Sequence, residues 1–176
     1  MMVRGSFASP LGLLTLASDG THLTGLWLPD QKYFASVLPP DAPVCADLAV
    51  FKRTHRWLRA YFAGERLDWL PPLAWLQASL FRQAVWHKLL QIPYGQVTTY
   101  GALAQSLAQD GMHTSPRAVA GAVAHNPISI VVPCHRVVGA QGALTGYAGG
   151  LQAKKWLLAR EGVAVQDARV CIHERF

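Results

Sequence analysis

The sequence predicts an α+β protein with two subdomains, the first built mainly of strands and the second mainly of helices. Of its 176 residues, 51% are hydrophobic and 15% charged, which favours a packed core and excludes intrinsic disorder. Strand-like segments come before residue 30, whereas segments with helix start and stop signals dominate after residue 78. We therefore divide the chain into residues 1–78 and 79–176.

The first subdomain is predicted to hold three strands and one helix. The strands are expected over Val3–Ser9, Leu13–Ser18 and His22–Leu28, with a hairpin turn at Pro10–Gly12. A proline-rich loop follows, and then a helix whose apolar residues recur at 3.6-residue spacing from Val50 to Phe62. Gly64 is placed to end that helix.

The second subdomain is predicted to contain four helices, three of which begin at a capping residue. The caps are Ser79, Thr99 and Ser115, and the helices extend to about Gln91, Gln109 and Ala124. A short buried strand over Ile128–Val132, a glycine-rich loop over Pro133–Gly150 and a last helix over Leu151–Glu161 complete the prediction.

The helix after Ser115-Pro116 is unusually rich in small side chains: Ala118, Ala120, Gly121 and Ala122. Two helices joined by a short connection, the second of them small-sided, suggest a helix–turn–helix. Close packing between helices is the alternative explanation for the small residues.

Positive charge is concentrated in the second subdomain. Residues 1–78 carry seven Lys and Arg against six Asp and Glu, whereas residues 79–160 carry seven against one, Asp110. Such a segment favours a polyanionic partner such as nucleic acid, although a basic chain also favours solubility alone.

The cysteines and hydropathy indicate a reducing, cytoplasmic setting. Three cysteines are too few for a disulfide scaffold, and we find neither a signal peptide nor a run of about 18 apolar residues. Cys171 and His173 offer two metal donors, but no spacing completes a tetrahedral set, so no metal site is predicted.

Cys134 is the residue best placed to carry chemistry. It follows a predicted buried strand and stands in Pro133-Cys134-His135-Arg136. Cysteine is a nucleophile as its thiolate, and we expect a neighbouring His or Arg to lower its pKa. The alternative is a buried structural cysteine.

The segment from Ile130 to Gly139, IVVPCHRVVG, resembles the active-site signature of the O6-alkylguanine-DNA alkyltransferases (methylated-DNA–protein-cysteine methyltransferases). Further segments resemble motifs of this family: Ser9–Gly12, Phe81–Trp86, Ile92–Gly95, Val97–Tyr100, Arg117–Val119, Asn126-Pro127 and Gly146–Gly150. The resemblance is strong over about residues 79–162 and weaker over 1–78. It implies a ribonuclease-H-like N-terminal scaffold and a winged-helix-like C-terminal DNA-binding subdomain.

The resemblance implies suicidal DNA repair without a cofactor, by a monomer that binds alkylated double-stranded DNA. The alkyl group of O6-alkylguanine or O4-alkylthymine would pass irreversibly to Cys134. His135 would accept the thiol proton through a water molecule, and Glu161 would hold the imidazole in the required tautomer. Tyr100 would donate a hydrogen bond to the flipped base.

The remaining site residues are also implied by the resemblance. Arg117 would fill the place of the flipped base, while Ala118, Ala120 and Gly121 let their helix approach the minor groove. Asn126 and Arg136 would support the active-site loop, with Val137, Tyr147 and Ala148 lining the base pocket. Two departures from the family are His125, where a glycine often precedes Asn-Pro, and a longer connection around Gly111–His113.

Three rival functions are weaker on the sequence. Alkyltransferase-like binding proteins replace the motif cysteine, which this chain retains as Cys134. A regulator using the helix–turn–helix alone would resemble family members that carry an additional zinc-bearing module, for which this chain lacks the cysteines. A hydrolytic Cys-His enzyme would need a means to release the thioether.

Overall fold

Three antiparallel strands in the order β1–β2–β3 and one helix form the first part of the chain in the computed structural model, which describes residues 1–170. The strands are β1 (Val3–Ser9), β2 (Gly12–Ser18) and β3 (Leu23–Trp27). Ser9 pairs with Gly12, so the hairpin turn is only Pro10-Leu11, and Gly12 belongs to β2. All three predicted strands are present.

The helix α1 (Ala49–Ala63) presents its apolar face to the protein interior. The buried residues recur at helical spacing: Val50, Phe51, Thr54, Trp57, Leu58 and Tyr61. Gly64 ends the helix with a φ of 90°, the left-handed conformation in which glycine carries no steric penalty. The predicted helix and its end are confirmed.

The second part of the chain contains α2 (Leu80–Leu90), α3 (Tyr100–Gln109), α4 (Pro116–Ala124) and α5 (Leu151–Arg160). Each of the first three begins where a side-chain oxygen accepts a backbone N–H: Ser79 from Arg82, Thr99 from Ala102 and Ser115 from Ala118. Local capping chemistry therefore fixes these starts, as the sequence predicted. The α+β class and the two-part architecture are confirmed.

A short parallel pairing joins distant segments of this second part. Strand β4 (Thr98–Thr99) pairs with β5 (Val137–Val138), with Thr99 opposite Val138. Tyr100 follows β4 directly, so this pairing brings the start of α3 to the segment that follows Cys134.

The predicted strand over residues 128–132 is wrong. Ile128 forms only an isolated bridge with Leu26, whose backbone N–H donates to Pro127 and whose carbonyl accepts from Ser129. Ile130 then takes a φ of +70°, which ends the extended conformation. The segment is nevertheless buried, as predicted.

The chain divides by its contacts into two compact units. The first comprises residues 1–77 and 127–131, and the second begins with residues 78–126 and resumes at Val132. A single boundary between residues 78 and 79 would assign residues 127–131 to the second unit, whereas their contacts place them in the first. The division into 1–78 and 79–176 stays a prediction.

The segment after Gly162 forms a small hairpin of β6 (Val165–Gln166) and β7 (Arg169–Val170). Val170 and Val163 pack in one apolar cluster with Val97, Val138, Leu144 and Leu158. Cys171 lies outside the described residues. Within residues 1–170, no helix has the length and apolar character needed to cross a membrane.

Candidate active site

Cys134 is buried in the second unit at the start of a 3-10 turn that spans Cys134–Arg136. Its backbone N–H donates to the carbonyl of Val132 at 2.8 Å, and Pro133 precedes the turn with a φ of −82°. His135 and Arg136 follow in the same turn, so three chemically different side chains start from adjacent backbone positions.

Glu161 is a buried carboxylate at the end of α5 that accepts four hydrogen bonds. Its Oε1 accepts from His135 Nε2 at 2.6 Å and from an Arg136 guanidinium nitrogen at 3.0 Å. Its Oε2 accepts from Arg136 Nε at 2.8 Å and from the Gly95 backbone N–H at 3.1 Å. These contacts thus join Glu161 to residues that stand 25 to 66 positions away in the sequence.

The charges of this group follow from burial and pairing. Burial alone would raise the pKa of Glu161, but the hydrogen bonds from His135 and Arg136 and the positive charge of Arg136 outweigh it and hold that pKa well below its usual range. Burial lowers the pKa of His135 despite the opposing effect of Glu161. We therefore assign an ionised Glu161 beside a neutral His135, with Arg136 supplying the balancing charge.

The tautomer of His135 follows from the same contact. An ionised carboxylate can only accept, so the hydrogen between Nε2 of His135 and Oε1 of Glu161 must be on Nε2. In a neutral imidazole this leaves Nδ1 as the basic nitrogen. The family resemblance implies that Glu161 holds the imidazole of His135 in the required tautomer, and the contact between Nε2 and Oε1 has the geometry that this role needs.

The Ile92–Gly95 turn holds Arg136 and Glu161 from the other side. Arg136 donates to the Ile92 carbonyl at 2.6 Å, and its guanidinium lies 5.8 Å from the centre of the Tyr94 ring. Gly95 has a φ of +77°, and a Cβ added there would lie 3.0 Å from the Glu161 carbonyl oxygen. A residue other than glycine would therefore be strained where the N–H reaches the carboxylate.

The Cys134 thiol is protonated at rest. Burial raises its pKa, while the polar side chains of Asn126 and Tyr147 and the charge of Lys154 act in the opposite direction. The expectation that His135 or Arg136 lowers this pKa is wrong, because His135 is neutral and the charge of Arg136 is balanced by Glu161. The groups that favour the thiolate are instead Asn126, Tyr147 and Lys154.

Asn126 connects the end of α4 to the reactive segment. Its side-chain amide is buried and donates to the Val132 carbonyl at 2.9 Å. His125 occupies the preceding position with a φ of −91°, and its Nδ1 lies 2.7 Å from the Gly121 carbonyl. The turn before Asn126 therefore needs no positive φ, and the histidine fits where a glycine is common in the family.

Tyr100 lies close enough to Cys134 for the two groups to interact electrostatically. Burial, and secondly the negative charge of a Cys134 thiolate, raise the pKa of Tyr100. The phenol therefore stays protonated and able to donate a hydrogen bond at neutral pH.

Lys154 is a site residue that sequence reasoning missed. Its side chain is fully buried, and Nζ donates to the carbonyls of Val137 at 2.5 Å, Gly146 at 3.3 Å and Thr145 at 3.4 Å. Burial lowers its pKa to about 8, and the nearby Cys134 acts in the opposite direction. One signal was available, because Lys154 lies on the apolar face of α5, three and four residues before Leu157 and Leu158.

The predicted base-pocket residues lie along the segments that Lys154 holds. Val137 is buried, and its carbonyl accepts from Lys154. Tyr147 and Ala148 are half-buried in the loop just after Thr145 and Gly146. The lining of a base pocket by these three residues stays a prediction.

The outer face of α4 is small and open. Arg117, Ala118 and Gly121 are exposed and Ala120 is half-buried, whereas Ala122 is buried and its carbonyl accepts from Trp86 Nε1 at 2.8 Å. A Cβ added at Gly121 would meet no atom within 4 Å. Close packing thus explains Ala122, and the other small residues leave a surface that another molecule can approach.

Two of the seven cations counted for DNA binding are internal. Lys154 is buried, and Arg136 is largely buried against Glu161. Lys88 pairs with Asp110 at 2.6 Å. The basic surface of this unit is therefore smaller than the sequence count suggested, with four cations remaining: Arg82, Arg117, Lys155 and Arg160.

Among residues 1–170, no group of three or more His, Cys, Asp and Glu side chains could hold a metal ion. The side chains assembled around Cys134 are a thiol, a neutral imidazole on a buried carboxylate, a tyrosine hydroxyl and a buried ammonium group. Such a set can generate a sulfur nucleophile and accept its proton.

Comparison with known proteins identifies two family regions. Residues 2–74 match the 6-O-methylguanine DNA methyltransferase, ribonuclease-like domain, and residues 80–163 match the DNA binding domain of the same family. A methylated-DNA–protein-cysteine methyltransferase from Mycobacterium bovis is 44% identical over 153 residues, which cover 87% of this chain and 88% of the relative.

Solved structures give the same result. The O6-methylguanine methyltransferase of Mycobacterium tuberculosis has a TM-score of 0.77 and 42% identity, covering 92% of this chain and 93% of that one. The structure of Mycobacterium tuberculosis OGT in complex with DNA has a TM-score of 0.76 and 41% identity, covering 89% and 90%.

The position of Lys154 predicts a specific change in thiol reactivity. Lys154→Met removes a positive charge that favours the thiolate, so the pKa of Cys134 should rise further and its reaction with iodoacetamide at pH 7 should slow. The loss should be about tenfold for each pKa unit gained. Rates measured against pH, with alkylation located by peptide mass spectrometry, test this.

Lys155→Met is the matched control, since it removes the neighbouring charge on the same helix without touching Cys134. Thermal melting establishes that both variants are folded. Equal rates and equal pH profiles for the two variants at Cys134 would contradict the role of Lys154.

Proposed function

The chain belongs to the 6-O-methylguanine DNA methyltransferase family, and on that premise we propose that it repairs O6-alkylguanine in double-stranded DNA by moving the alkyl group to Cys134. The observation that carries the proposal is the buried Cys134 thiol next to a neutral His135 that is bound to the ionised Glu161. Alkyl transfer from DNA to a protein cysteine is the activity for which the relatives are named.

The transfer is a displacement at an sp3 carbon. As the thiol proton leaves Sγ, through a water molecule to Nδ1 of His135, the sulfur attacks the alkyl carbon. The S–C bond forms, the C–O6 bond breaks, and its electron pair moves into the guanine ring. Glu161 stabilises the imidazolium that results, and Tyr100 donates a hydrogen bond to the base as its negative charge develops.

The thioether product makes the reaction a single event for each protein molecule. A thioether carries no acidic proton and is a poor leaving group, so the described side chains offer no route back to the thiol. The protein is therefore consumed in stoichiometric amount. The same displacement at O4-alkylthymine follows the same chemistry, and a monomer suffices because all assigned residues belong to one chain.

The base must leave the duplex before the thiol can reach it. In our proposal the exposed face of α4 enters the minor groove, where Ala118, Ala120 and Gly121 allow a close approach. Arg117 fills the place of the extruded base. Its side chain forms no hydrogen bond or ion pair with any residue in the described part of the chain, so it can move onto DNA without breaking one.

The remaining residues support the reactive segment. Asn126 and Arg136 hold the turn that carries Cys134, through the Val132 carbonyl and through Glu161. Val137, Tyr147 and Ala148 surround the base that has entered the site. A pocket formed from backbone and neutral side chains suits recognition of an uncharged base.

The first test measures stoichiometry. With excess duplex DNA containing O6-methylguanine, the protein should gain one methyl group, on the peptide that contains Cys134 and not on Cys45 or Cys171. Intact-protein and peptide mass spectrometry give both the number and the position. Cys134→Ser should show no transfer, because a serine hydroxyl ionises far less readily than a thiol. More than one base repaired per protein would exclude the single-event mechanism.

The second test separates base extrusion from chemistry. Arg117→Ala should slow repair of duplex DNA by about 100-fold, since unstacking costs a few kcal/mol that the arginine no longer offsets. Reaction with free O6-benzylguanine should be nearly unchanged, because a free base has no stack to leave. Single-turnover rates on the two substrates measure the effect.

Arg160→Ala is the control, because it removes an exposed cation of the same unit that is not on α4. It should change the two rates little. Equal losses on duplex and free base for Arg117→Ala would mean that Arg117 shapes the fold or the site instead of replacing the base.

A further inference from the structure

A basic hollow of about 480 Å³ lies on the first unit, far in sequence from the reactive cysteine. It is lined by Lys52, Arg53 and Arg56 of α1 and by Trp69. These three cations are exposed on the face of α1 opposite to its buried residues. None of the four residues belongs to the site around Cys134, so the proposed reaction leaves this surface unexplained.

The hollow is held together by specific contacts. Trp57, on the buried face of α1, donates from Nε1 to the Trp69 carbonyl at 2.9 Å and so fixes Trp69 against the helix. The guanidinium carbons of Arg53 and Arg56 lie 5.4 and 5.6 Å from the centre of the Trp69 ring. Cation–π attraction at these distances restrains both arginines, which reduces the entropy they would lose on binding a ligand.

The charge in the hollow is largely uncompensated. Helix α1 carries four cations and no acidic residue: Lys52, Arg53, Arg56 and Arg59. Lys52 contacts Asp47 at 2.5 Å, in a pair whose two side chains are both exposed. Arg53 and Arg56 pair with no carboxylate anywhere in residues 1–170. Residues 1–78 carry seven cations and six acidic residues in total, yet four of those cations lie on α1 alone.

Two adjacent guanidinium groups without carboxylate partners are suited to phosphate. Each presents N–H donors in a planar fork that can bind two oxygens at once, and exposure leaves those donors accessible. A polyanion with phosphates at regular intervals matches a row of cations along a helix better than a single small anion does.

We propose that this hollow is a second contact for the sugar–phosphate backbone of DNA, separate from α4. The inference rests on the proposed function in that DNA is the polyanion the protein meets. The contact is independent of base sequence, since guanidinium groups read phosphates and not base edges. The first unit then contributes directly to DNA affinity and is not only a scaffold.

The test compares the salt dependence of DNA binding between the wild-type protein and R53A/R56A. Binding of an undamaged duplex is measured by fluorescence anisotropy over a series of KCl concentrations. Loss of two phosphate contacts should reduce the slope of log K against log salt by about 1.8, at about 0.9 per contact. R53K/R56K keeps both charges and should keep most of the slope.

R4A/K32A is the matched control, because it removes two exposed cations of the same unit that do not line the hollow. Thermal melting shows whether each variant is folded. If R53A/R56A has the same slope and affinity as R4A/K32A while the wild-type protein binds and repairs DNA, this site is excluded and the proposed function stands. A wild-type protein that bound no DNA would overturn both.

Discussion

The buried carboxylate of Glu161 is the constraint on which the second unit depends. A buried, unpaired charge would be strongly destabilising, and Glu161 avoids this by accepting four hydrogen bonds from His135, Arg136 and Gly95. Those donors come from the turn after α2 and from the reactive turn, while Glu161 itself ends α5. Removing one donor would leave part of the charge unsatisfied, so the three segments are held in one arrangement. A negative charge at the end of a helix is unfavourable for the helix dipole, which the Arg136 guanidinium offsets.

This arrangement explains how a buried cysteine can be both inert and reactive. Burial keeps Cys134 as a thiol, and a buried thiol reacts slowly with oxidants and stray electrophiles. The base that can remove its proton is adjacent in sequence and is held neutral by burial, with its tautomer set by Glu161. Asn126, Tyr147 and Lys154 favour the thiolate once the proton begins to leave. The resting protein therefore holds no permanent thiolate. Cys134 becomes reactive when a substrate is bound and the thiol proton moves to His135.

Local signals predicted the elements that depend on neighbouring residues. Ser79, Thr99 and Ser115 cap helices because the side-chain oxygen of each accepts the backbone N–H three residues later. The residue types and this spacing can be read directly from the sequence. The segment 128–132 was assigned as a strand because apolar residues cluster there. Its backbone bonds to β3 instead involve Pro127 and Ser129, and Ile130 takes a positive φ, which no local pattern encodes.

The site shows the same division between local and long-range information. The sequence pattern around Cys134 identified the nucleophile and His135, while the pairing with Glu161 came from family resemblance because 26 residues separate the two. Lys154 was counted as a surface cation since composition does not distinguish a buried lysine from an exposed one. The basic hollow of α1 was hidden for a related reason: seven cations and six acidic residues nearly cancel over residues 1–78, although Arg53 and Arg56 pair with no carboxylate among the described residues.

The most direct measurement of the central claim is the protonation state and tautomer of His135 in the resting protein at neutral pH. Nitrogen-15 NMR of the imidazole distinguishes the two neutral tautomers from each other and from the cation. Our account predicts a neutral ring with its hydrogen on Nε2, donated to Glu161, and with Nδ1 unprotonated. A hydrogen on Nδ1, or a resting imidazolium, would contradict the assignment of His135 as the base that accepts the Cys134 proton.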